Sequence, residues 1–170
     1  MFLNVRDLEL QPIEFEETLL PGKIDFGNDV VQTEPLEIRG SAELLASAIR
    51  LRGLLRTTVE ISCARCLEPS RRDIEKEFDL FYNPIATIAK EEVVSVSNDE
   101  LEIGFYHGDG LLLEDVMKEQ VLLDLPMKGI CREDCSGLCP RCGQNLNLAA
   151  CGCQASLGDS PWASLAKWKD

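Results

Sequence analysis

The sequence has one histidine, His107, and lacks the usual nucleotide-binding motifs. A serine–histidine–acid triad would have to use this one residue, which adjoins a Gly-Asp-Gly turn and is therefore expected to be exposed. Neither GxGxxG nor GxxxxGK[ST], the glycine-rich sequences that bind nucleotide phosphates, occurs anywhere in the chain. These absences argue against a nucleotide-dependent enzyme or a triad hydrolase, and we expect a protein without catalytic activity.

Long apolar runs are also missing. No window approaches the roughly 18 to 20 apolar residues that are needed to cross a bilayer, so we expect no membrane association. Residues 1–10 alternate apolar and polar side chains and include acids. A secretory signal would instead have a basic start and an unbroken apolar core. We therefore expect a cytoplasmic protein, in which cysteines stay reduced and paired cysteines more often bind metal or do redox chemistry.

Basic charge is scarce, since 17 Lys and Arg residues stand against 30 Asp and Glu residues, for a net charge of −13. Residues 1–38 hold two bases and nine acids, and residues 73–130 hold four bases and fourteen acids. Such a protein is repelled by phosphate backbones. The one basic island, residues 39–72 with seven bases and three acids, either contacts a phosphate or balances acidic strands beside it, and we favour the second interpretation.

Alternation with a period of two predicts three long antiparallel strands. In the first, from Leu36, the even positions are small or apolar. In the second, the apolar side chains move to odd positions, and residues 45–48 make the bend between the two strands. These positions are Ile49, Leu51, Leu55, Val59, Ile61 and Cys63, with Leu54 as an exception on the polar face. The third strand covers residues 70–82. We expect only one or two strands and loops in residues 1–38, and a short strand at 101–106.

A helix is predicted over residues 111–123. Glu114 and Asp115 lie in its first turns, where the helix dipole favours negative charge, and Pro126 ends it. Helical spacing places four side chains on one face, and three further leucines are expected to widen the apolar surface that packs on the sheet. The four are Leu113, Val116, Met117 and Gln120, and the three leucines are Leu112, Leu122 and Leu123.

The predicted fold class is α+β, a mainly antiparallel β-sheet with one packed helix and a cysteine-rich, zinc-binding C-terminal segment. We expect residues 1–130 to form the β domain with its helix. Residues 131–170 are expected to form the zinc-binding segment and a short terminal helix, containing Trp162 and Trp168, packed on the same domain.

Eight cysteines occur as four close pairs, and they are the strongest signal in the sequence. Zinc takes four donors in a tetrahedron, and pairs two to four residues apart can wrap one ion. The stretch Cys-Pro-Arg-Cys-Gly at 139–143 has the shape of a zinc knuckle, because its glycine can adopt a positive φ. A second pair must complete this site, and there are three candidates. The pairs are Cys63/Cys66, Cys131/Cys135, Cys139/Cys142 and Cys151/Cys153.

We favour two closed sites, one formed by the first two pairs and one by the last two. Residues 131–155 contain few large apolar side chains. Structural zinc, which contributes on the order of 10 to 16 kcal/mol in small peptides, could offset much of the ordering entropy of such a segment. The alternatives are an iron–sulfur cluster and a redox function of Cys63-Ala-Arg-Cys66, although thioredoxin-like motifs belong to a βαβ context.

Three stretches together resemble the YceD family, the bacterial and plastid large ribosomal RNA subunit accumulation proteins. They are Cys-Ala-Arg-Cys-Leu-Glu-Pro at 63–69, Glu-Gln-Val-Leu-Leu-Asp-Leu-Pro at 119–126, and the tail at 131–153 with Gly-Leu-Cys-Pro-Arg-Cys-Gly-Gln-Asn-Leu-Asn. The resemblance covers roughly residues 36–170. It implies a role in large-subunit ribosomal RNA accumulation, and so in ribosome assembly, with no established catalytic activity.

The acidic charge leads us to expect action through a basic partner, a ribosomal protein or an assembly factor, rather than extensive RNA binding. The rival within the same role is direct ribosomal RNA contact through Arg50, Arg52 and Arg56. The alternative function of a different class is a CxxC-dependent thiol redox enzyme or sensor.

Overall fold

The structure is a computed structural model that describes residues 1–27, 29–85 and 103–153. The predicted helix containing Trp162 and Trp168 falls outside these residues, as does most of the acidic stretch before residue 101. The elements in chain order are β1 (Phe2–Asn4), α1 (Val5–Leu10), β2 (Ile13–Leu19), β3 (Val30–Gln32), β4 (Leu36–Leu45), β5 (Ala48–Ser62), β6 (Pro69–Pro84), β7 (Ile103–Tyr106), β8 (Gly110–Leu112) and α2 (Leu113–Asp124).

A six-stranded sheet in the order β2-β4-β5-β6-β7, with β3 paired to the far end of β5, dominates the described residues. The three long strands predicted between residues 36 and 82 are present as β4, β5 and β6, and they pair antiparallel. The predicted short strand is present as β7, which runs parallel to β6. The sheet is thus mainly antiparallel with one parallel edge. The fold has the α+β character that the sequence predicts.

One face of the sheet is buried and the other is exposed, as the alternation in the sequence predicts. The odd positions of β5 point into the core, and its even positions carry three of the seven arginines of the basic island, Arg50, Arg52 and Arg56. Fully burying one large aliphatic side chain stabilises the fold by about 1.5–3 kcal/mol. The fully buried large aliphatic residues of β4 and β5 are Leu36, Ile38, Ile49, Leu51, Leu55 and Val59.

The helix α1 is a feature that the sequence interpretation missed, since strands and loops were expected there. The side chain of Asn4 accepts a hydrogen bond from the backbone N–H of Arg6 at 2.9 Å and caps the helix. Leu8 is its one buried residue. A helix this short buries too little to produce a 3.6-residue pattern, so the apolar alternation around it resembles a strand.

The second helix, α2, buries the face that the sequence predicts, including Leu113, Val116, Met117 and Gln120. The expectation for Leu112, Leu122 and Leu123 was wrong, because their side chains are 38%, 37% and 66% exposed. Successive helical residues turn by about 100°, which places Leu122 opposite the buried face and Leu123 at the border of that face, in the last turn of the helix. Neither helix in the described ranges is long and apolar enough to cross a membrane.

A second, smaller cluster of buried side chains lies beyond the main core, at the turn between β5 and β6. It consists of Cys63, Cys66 and Cys135, with the half-buried Ile130, Cys131 and Leu138 packed against it. The cluster joins the cysteine-rich segment to the end of the sheet.

Candidate metal centres

Backbone hydrogen bonds hold the turn between β5 and β6, which contains the first cysteine pair. The backbone N–H of Cys63 donates to the carbonyl oxygen of Glu68 at 2.9 Å, and the N–H of Leu67 donates to the carbonyl oxygen of Cys63 at 2.9 Å. The second bond requires the left-handed backbone of Leu67, where φ is 62°. Two long paired strands therefore fix where both thiols point.

This pair meets Cys131 and Cys135 to form a group that we name the sheet tetrad. The Sγ atoms of Cys63 and Cys135 are 3.9 Å apart, and those of Cys66 and Cys131 are 3.7 Å apart. All four sulfur atoms lie within 4.8 Å of one another. Four sulfurs bound to one tetrahedral ion at about 2.3 Å would lie about 3.8 Å apart. The sheet tetrad is therefore spaced as a metal site requires.

Hydrogen bonds to backbone carbonyl oxygens attach the cysteine-rich segment to the turn and to β6. The guanidinium Nη1 of Arg65 donates to the carbonyl oxygens of Glu133 and Cys135, each at 3.0 Å. The carbonyl oxygen of Arg65 accepts from the N–H of Leu138 at 3.1 Å. Arg72, from β6, donates to the carbonyl oxygen of Ile130 at 2.6 Å. The arginines thus satisfy carbonyl oxygens that the loop itself leaves without strand or helix partners.

Asn147 connects the tail of the segment to the sheet tetrad. Its side-chain Nδ2 donates to the sulfur of Cys135 at 3.3 Å, and its Oδ1 accepts from the backbone N–H of Ser136 at 2.8 Å. Asn145 orients it, because the Oδ1 of Asn145 accepts from both the backbone and the side-chain nitrogen of Asn147. A hydrogen bond to a metal-ligating atom orients the ligand and tunes its basicity.

The pKa values of the thiols in the sheet tetrad are shifted in different directions. The pKa of Cys63 is lowered to about 5, chiefly because the backbone N–H groups of Cys131 and Cys66 point at its sulfur. The pKa of Cys131 is raised, chiefly by burial and then by its neighbouring thiols. Backbone dipoles alone therefore favour thiolate at only part of the tetrad. A cation among the sulfurs would allow all of them to ionise together.

The remaining four cysteines form a second group, the tail tetrad: Cys139, Cys142, Cys151 and Cys153. Its sulfur atoms also lie within 4.8 Å of one another. The knuckle closes when the N–H of Gly143 donates to the carbonyl oxygen of Cys139 at 2.9 Å, with φ of 73° at the glycine. The pKa of Cys139 is lowered to about 6, first by the backbone N–H of Cys142 and then by that of Arg141.

The structure thus groups the eight cysteines as the sequence favoured, in two tetrads that could each hold a metal ion. The redox alternative gains no support. Cys63 is fully buried and Cys66 nearly so, whereas a redox-active thiol must be reached by its substrate. The motif also joins two antiparallel strands rather than a strand and a helix.

Arg50, Arg52 and Arg56, the candidate RNA contacts, each pair with a carboxylate of β6. Arg50 donates to both oxygens of Asp79 at 2.8 Å, Arg52 lies 3.5 Å from the same carboxylate, and Arg56 lies 2.6 Å from Glu75. Arg50 also contacts the ring of Phe81, 5.2 Å from its centroid. This arrangement agrees with the interpretation that the island balances acidic strands.

His107, the one histidine of the sequence, is exposed, as expected from its place beside the Gly-Asp-Gly turn.

The sequence interpretation assigned no role at the tetrads to Arg65, Arg72 or Asn147. Arg65 stands between the two cysteines of the first pair, and Asn147 belongs to the Asn-Leu-Asn sequence that follows the knuckle. Their positions inside cysteine motifs were a usable signal. Their partners, however, include backbone atoms of Glu133, Ile130 and Ser136, which become neighbours only after the chain has folded.

Comparison with known proteins links these motifs to one family. The family described as "Large ribosomal RNA subunit accumulation protein YceD" matches residues 51–169. An uncharacterized protein of Mycobacterium tuberculosis is 29% identical over 133 residues, which cover 78% of this chain and 61% of that protein. The chain therefore spans about three-fifths of the length of this curated relative.

Two plant proteins also match. The chloroplastic "Large ribosomal RNA subunit accumulation protein YCED homolog 1" of Arabidopsis thaliana is 26% identical, over 72% of this chain and 44% of the plant protein. Its counterpart in Zea mays is 25% identical, over 62% of this chain and 44% of that protein. No solved structure matches the chain.

Proposed function

This chain belongs to the YceD family, and from that premise we propose that it is a noncatalytic factor that supports accumulation of large-subunit ribosomal RNA during ribosome assembly. The match over residues 51–169 carries this proposal, because it includes both tetrads and the strands that position the first of them. The names of the plant relatives give the same role.

Both tetrads are proposed to hold structural zinc. The donor set supports this choice, because four cysteine thiolates in a tetrahedron are typical of structural zinc. The sulfur spacings of 3.7 and 3.9 Å in the sheet tetrad suit that ion. A shell of four protein ligands has no open position for water or substrate, so the zinc would stabilise the segment rather than take part in a reaction.

The zinc-binding segment, residues 131–170, is proposed to pack on the β domain of residues 1–130 and to depend on zinc for its order. The small cluster around Cys63, Cys66 and Cys135 supports this, because it contains only two side chains larger than cysteine, those of Ile130 and Leu138. Apolar burial of that size is small beside the binding energy of structural zinc.

The partner is proposed to be a basic protein, either a ribosomal protein or an assembly factor, met in the cytoplasm. The net charge of −13 supports a basic partner, as do the ion pairs that already occupy Arg50, Arg52 and Arg56. Few cations on this part of the sheet are left for phosphate.

Depletion of the protein in its own host tests the role. We expect the ratio of large-subunit to small-subunit ribosomal RNA to fall, and free small subunits to accumulate on a sucrose gradient. Expression of the wild-type chain should restore the ratio. An unchanged ratio after complete depletion would refute the proposed function.

Elemental analysis of untagged, purified protein tests the zinc assignment separately. We expect about two zinc ions per chain, one for each tetrad. Iron in place of zinc, or no metal at all, would contradict the assignment without affecting the depletion result.

A further inference from the structure

Two facing glycines produce an unusual row across the sheet. Gly40 of β4 pairs with Gly53 of β5, and the same row continues to Phe15 on β2 and Phe78 on β6. A Cβ on Gly40 would collide with the carbonyl oxygen of Arg52, and a Cβ on Gly53 would collide with that of Arg39. The neighbouring backbones therefore approach too closely for any side chain, and the two rings cover the glycines from the core side.

The exposed face of the sheet above this row is concave. It forms an open trough of about 1050 Å³ that crosses four strands from β2 to β6. With strands about 4.8 Å apart, the trough is about 14 Å long, which is the length of about four residues of extended polypeptide. We name this feature the outer trough.

The two ends of the outer trough are acidic. Glu14 and Glu16 on β2 form one end, and Glu77 on β6 belongs to the other; all three are exposed. None of the three has an ion pair with another described residue, whereas Asp79, beside Glu77, is already paired with Arg50 and Arg52. Three carboxylates are therefore left to interact with a partner.

The floor between these ends holds fewer unpaired positive charges than the ends hold unpaired negative charges. Arg52 is engaged by Asp79 at 3.5 Å. Arg39, directly across from Glu16 in the strand register, has no ion pair within the described residues. Three unpaired carboxylates against one unpaired guanidinium leave the outer trough with a net negative charge. A phosphate backbone is repelled by such a surface, and a cationic polypeptide is attracted to it.

We propose that the outer trough binds an extended, lysine- and arginine-rich segment of a basic protein. The inference rests on the proposed function in one respect, that the partner is a basic protein, and it adds where the partner binds. Cationic side chains of the segment contact Glu14 and Glu16 at one end and Glu77 at the other, while its backbone lies over the small side chain of Ser41 in the floor.

The test uses the full-length, metal-loaded protein and a labelled peptide of about ten residues that alternates lysine and arginine with serine. We expect the triple variant Glu14→Gln, Glu16→Gln, Glu77→Gln to bind this peptide at least about tenfold more weakly than the wild type. About 0.5 M salt should also abolish binding by the wild type. Because these carboxylates form no ion pair with any described residue, the melting temperature should not change.

The matched control removes the same charge elsewhere, in the triple variant Glu9→Gln, Asp115→Asn, Glu133→Gln. These three side chains are exposed and form no ion pair within residues 1–27, 29–85 and 103–153. We expect the control to bind the peptide as the wild type does. Equal losses in the two triple variants would show that only net charge matters and would overturn the proposal, as would unchanged binding in the trough variant. Tight binding of a single-stranded RNA oligonucleotide in place of the peptide would also overturn it.

Complementation of the depleted host separates this proposal from the proposed function. If depletion lowers large-subunit RNA and the trough variant restores it fully, the role stands and the outer trough is not the site that serves it. If depletion has no effect, the role fails, whereas peptide binding still decides the chemistry of the outer trough.

Discussion

The sheet tetrad and the tail tetrad use the same four-cysteine donor set in different surroundings. In the sheet tetrad Cys63, Cys66 and Cys135 are buried, and two of its cysteines lie on the turn between the longest strands. In the tail tetrad Cys139 is the one buried cysteine, and Cys142 and Cys153 are exposed. The same residue type thus forms one group that is buried at the end of the sheet and one that lies at the surface.

The sequence distances spanned by the two tetrads differ as well. Cys63 and Cys135 are 72 residues apart, whereas the tail tetrad lies within residues 139–153. An ion in the sheet tetrad would therefore connect the segment to the sheet, and one in the tail tetrad would order a short local loop. Closing the longer loop restricts the unfolded chain more. Four experiments test whether the two tetrads differ in stability and metal release as this comparison predicts.

The largest effect is expected from Cys63→Ser. The change removes a buried ligand of the sheet tetrad, so we expect loss of one zinc ion per chain and a decrease of more than about 3 kcal/mol in the free energy of unfolding. Cys142→Ser, in the tail tetrad, is the matched control. It should also lose one zinc ion, with a smaller decrease in stability. Urea unfolding and metal analysis of both variants provide the measurement. Equal destabilisation would contradict the difference between the tetrads.

Arg65→Ala should have the next largest effect. The substitution removes two charged hydrogen bonds to the carbonyl oxygens of Glu133 and Cys135 beside the sheet tetrad. We expect the free energy of unfolding to fall by about 1–2 kcal/mol. Arg56→Ala is the control, because it breaks only an exposed ion pair on the sheet and should change stability by less than about 1 kcal/mol. A larger effect of the control would show that the contacts of Arg65 stabilise little.

Treatment with a zinc chelator should remove the ions proposed for the two tetrads at different rates. We expect the exposed tail tetrad to lose its ion at least about tenfold faster, a difference of about 1.4 kcal/mol in activation free energy. Release can be followed with a colorimetric zinc indicator. Cys142→Ser, which lacks the tail ion, should show only the slow phase. A single phase in the wild type would mean that burial does not control release.

The smallest effect is expected from Leu67→Gly, which compares the CxxC turn at residues 63–67 with the zinc knuckle at residues 139–143, here called the two knuckles. Leu67 and Gly143 follow the second cysteine of their knuckles with φ of 62° and 73°. Leu67 is 65% exposed, so its loss removes little packing. We expect the glycine to raise the free energy of unfolding by about 0.5 kcal/mol, since relief of the left-handed backbone exceeds the added chain entropy.

Leu67→Ala is the control for that substitution, because it shortens the side chain and keeps the strain. It should not stabilise the protein. Conversely, Gly143→Leu should destabilise the tail knuckle by about 1 kcal/mol. Stabilisation by alanine equal to that by glycine would show that side-chain size matters rather than φ.

The elements that the sequence predicted well are those with strong local patterns. The alternation in β5 runs through most of its fifteen residues, and one slip would expose the buried Ile49, Leu51, Leu55, Val59 and Ile61. The face of α2 that contains Met117 was equally clear. The prediction missed the helix α1 because six residues with one buried leucine carry no such repetition. The predicted packing of Leu122 and Leu123 was wrong because apolar character alone does not reveal which side of a helix meets the sheet.

The candidate sites divide in the same way. Cysteine spacing was enough to propose two tetrads, but not to show that one would be buried and the other exposed. The Gly40–Gly53 row could not be foreseen, because it depends on the register between β4 and β5. The same holds for the carboxylates that face Arg50, Arg52 and Arg56, which β6 supplies from more than fifteen residues away.

The amino-acid sequence by itself determined the strand alternation, the charge imbalance and the presence of four cysteine pairs. Each of these is a property of residues close together in the chain. Tertiary structure alone decided which tetrad is buried, which arginines are neutralised, and where, among the described residues, acidic side chains lack ion pairs on the concave face of the sheet. These outcomes depend on register and packing between distant strands, and the free energies involved arise only when those strands meet.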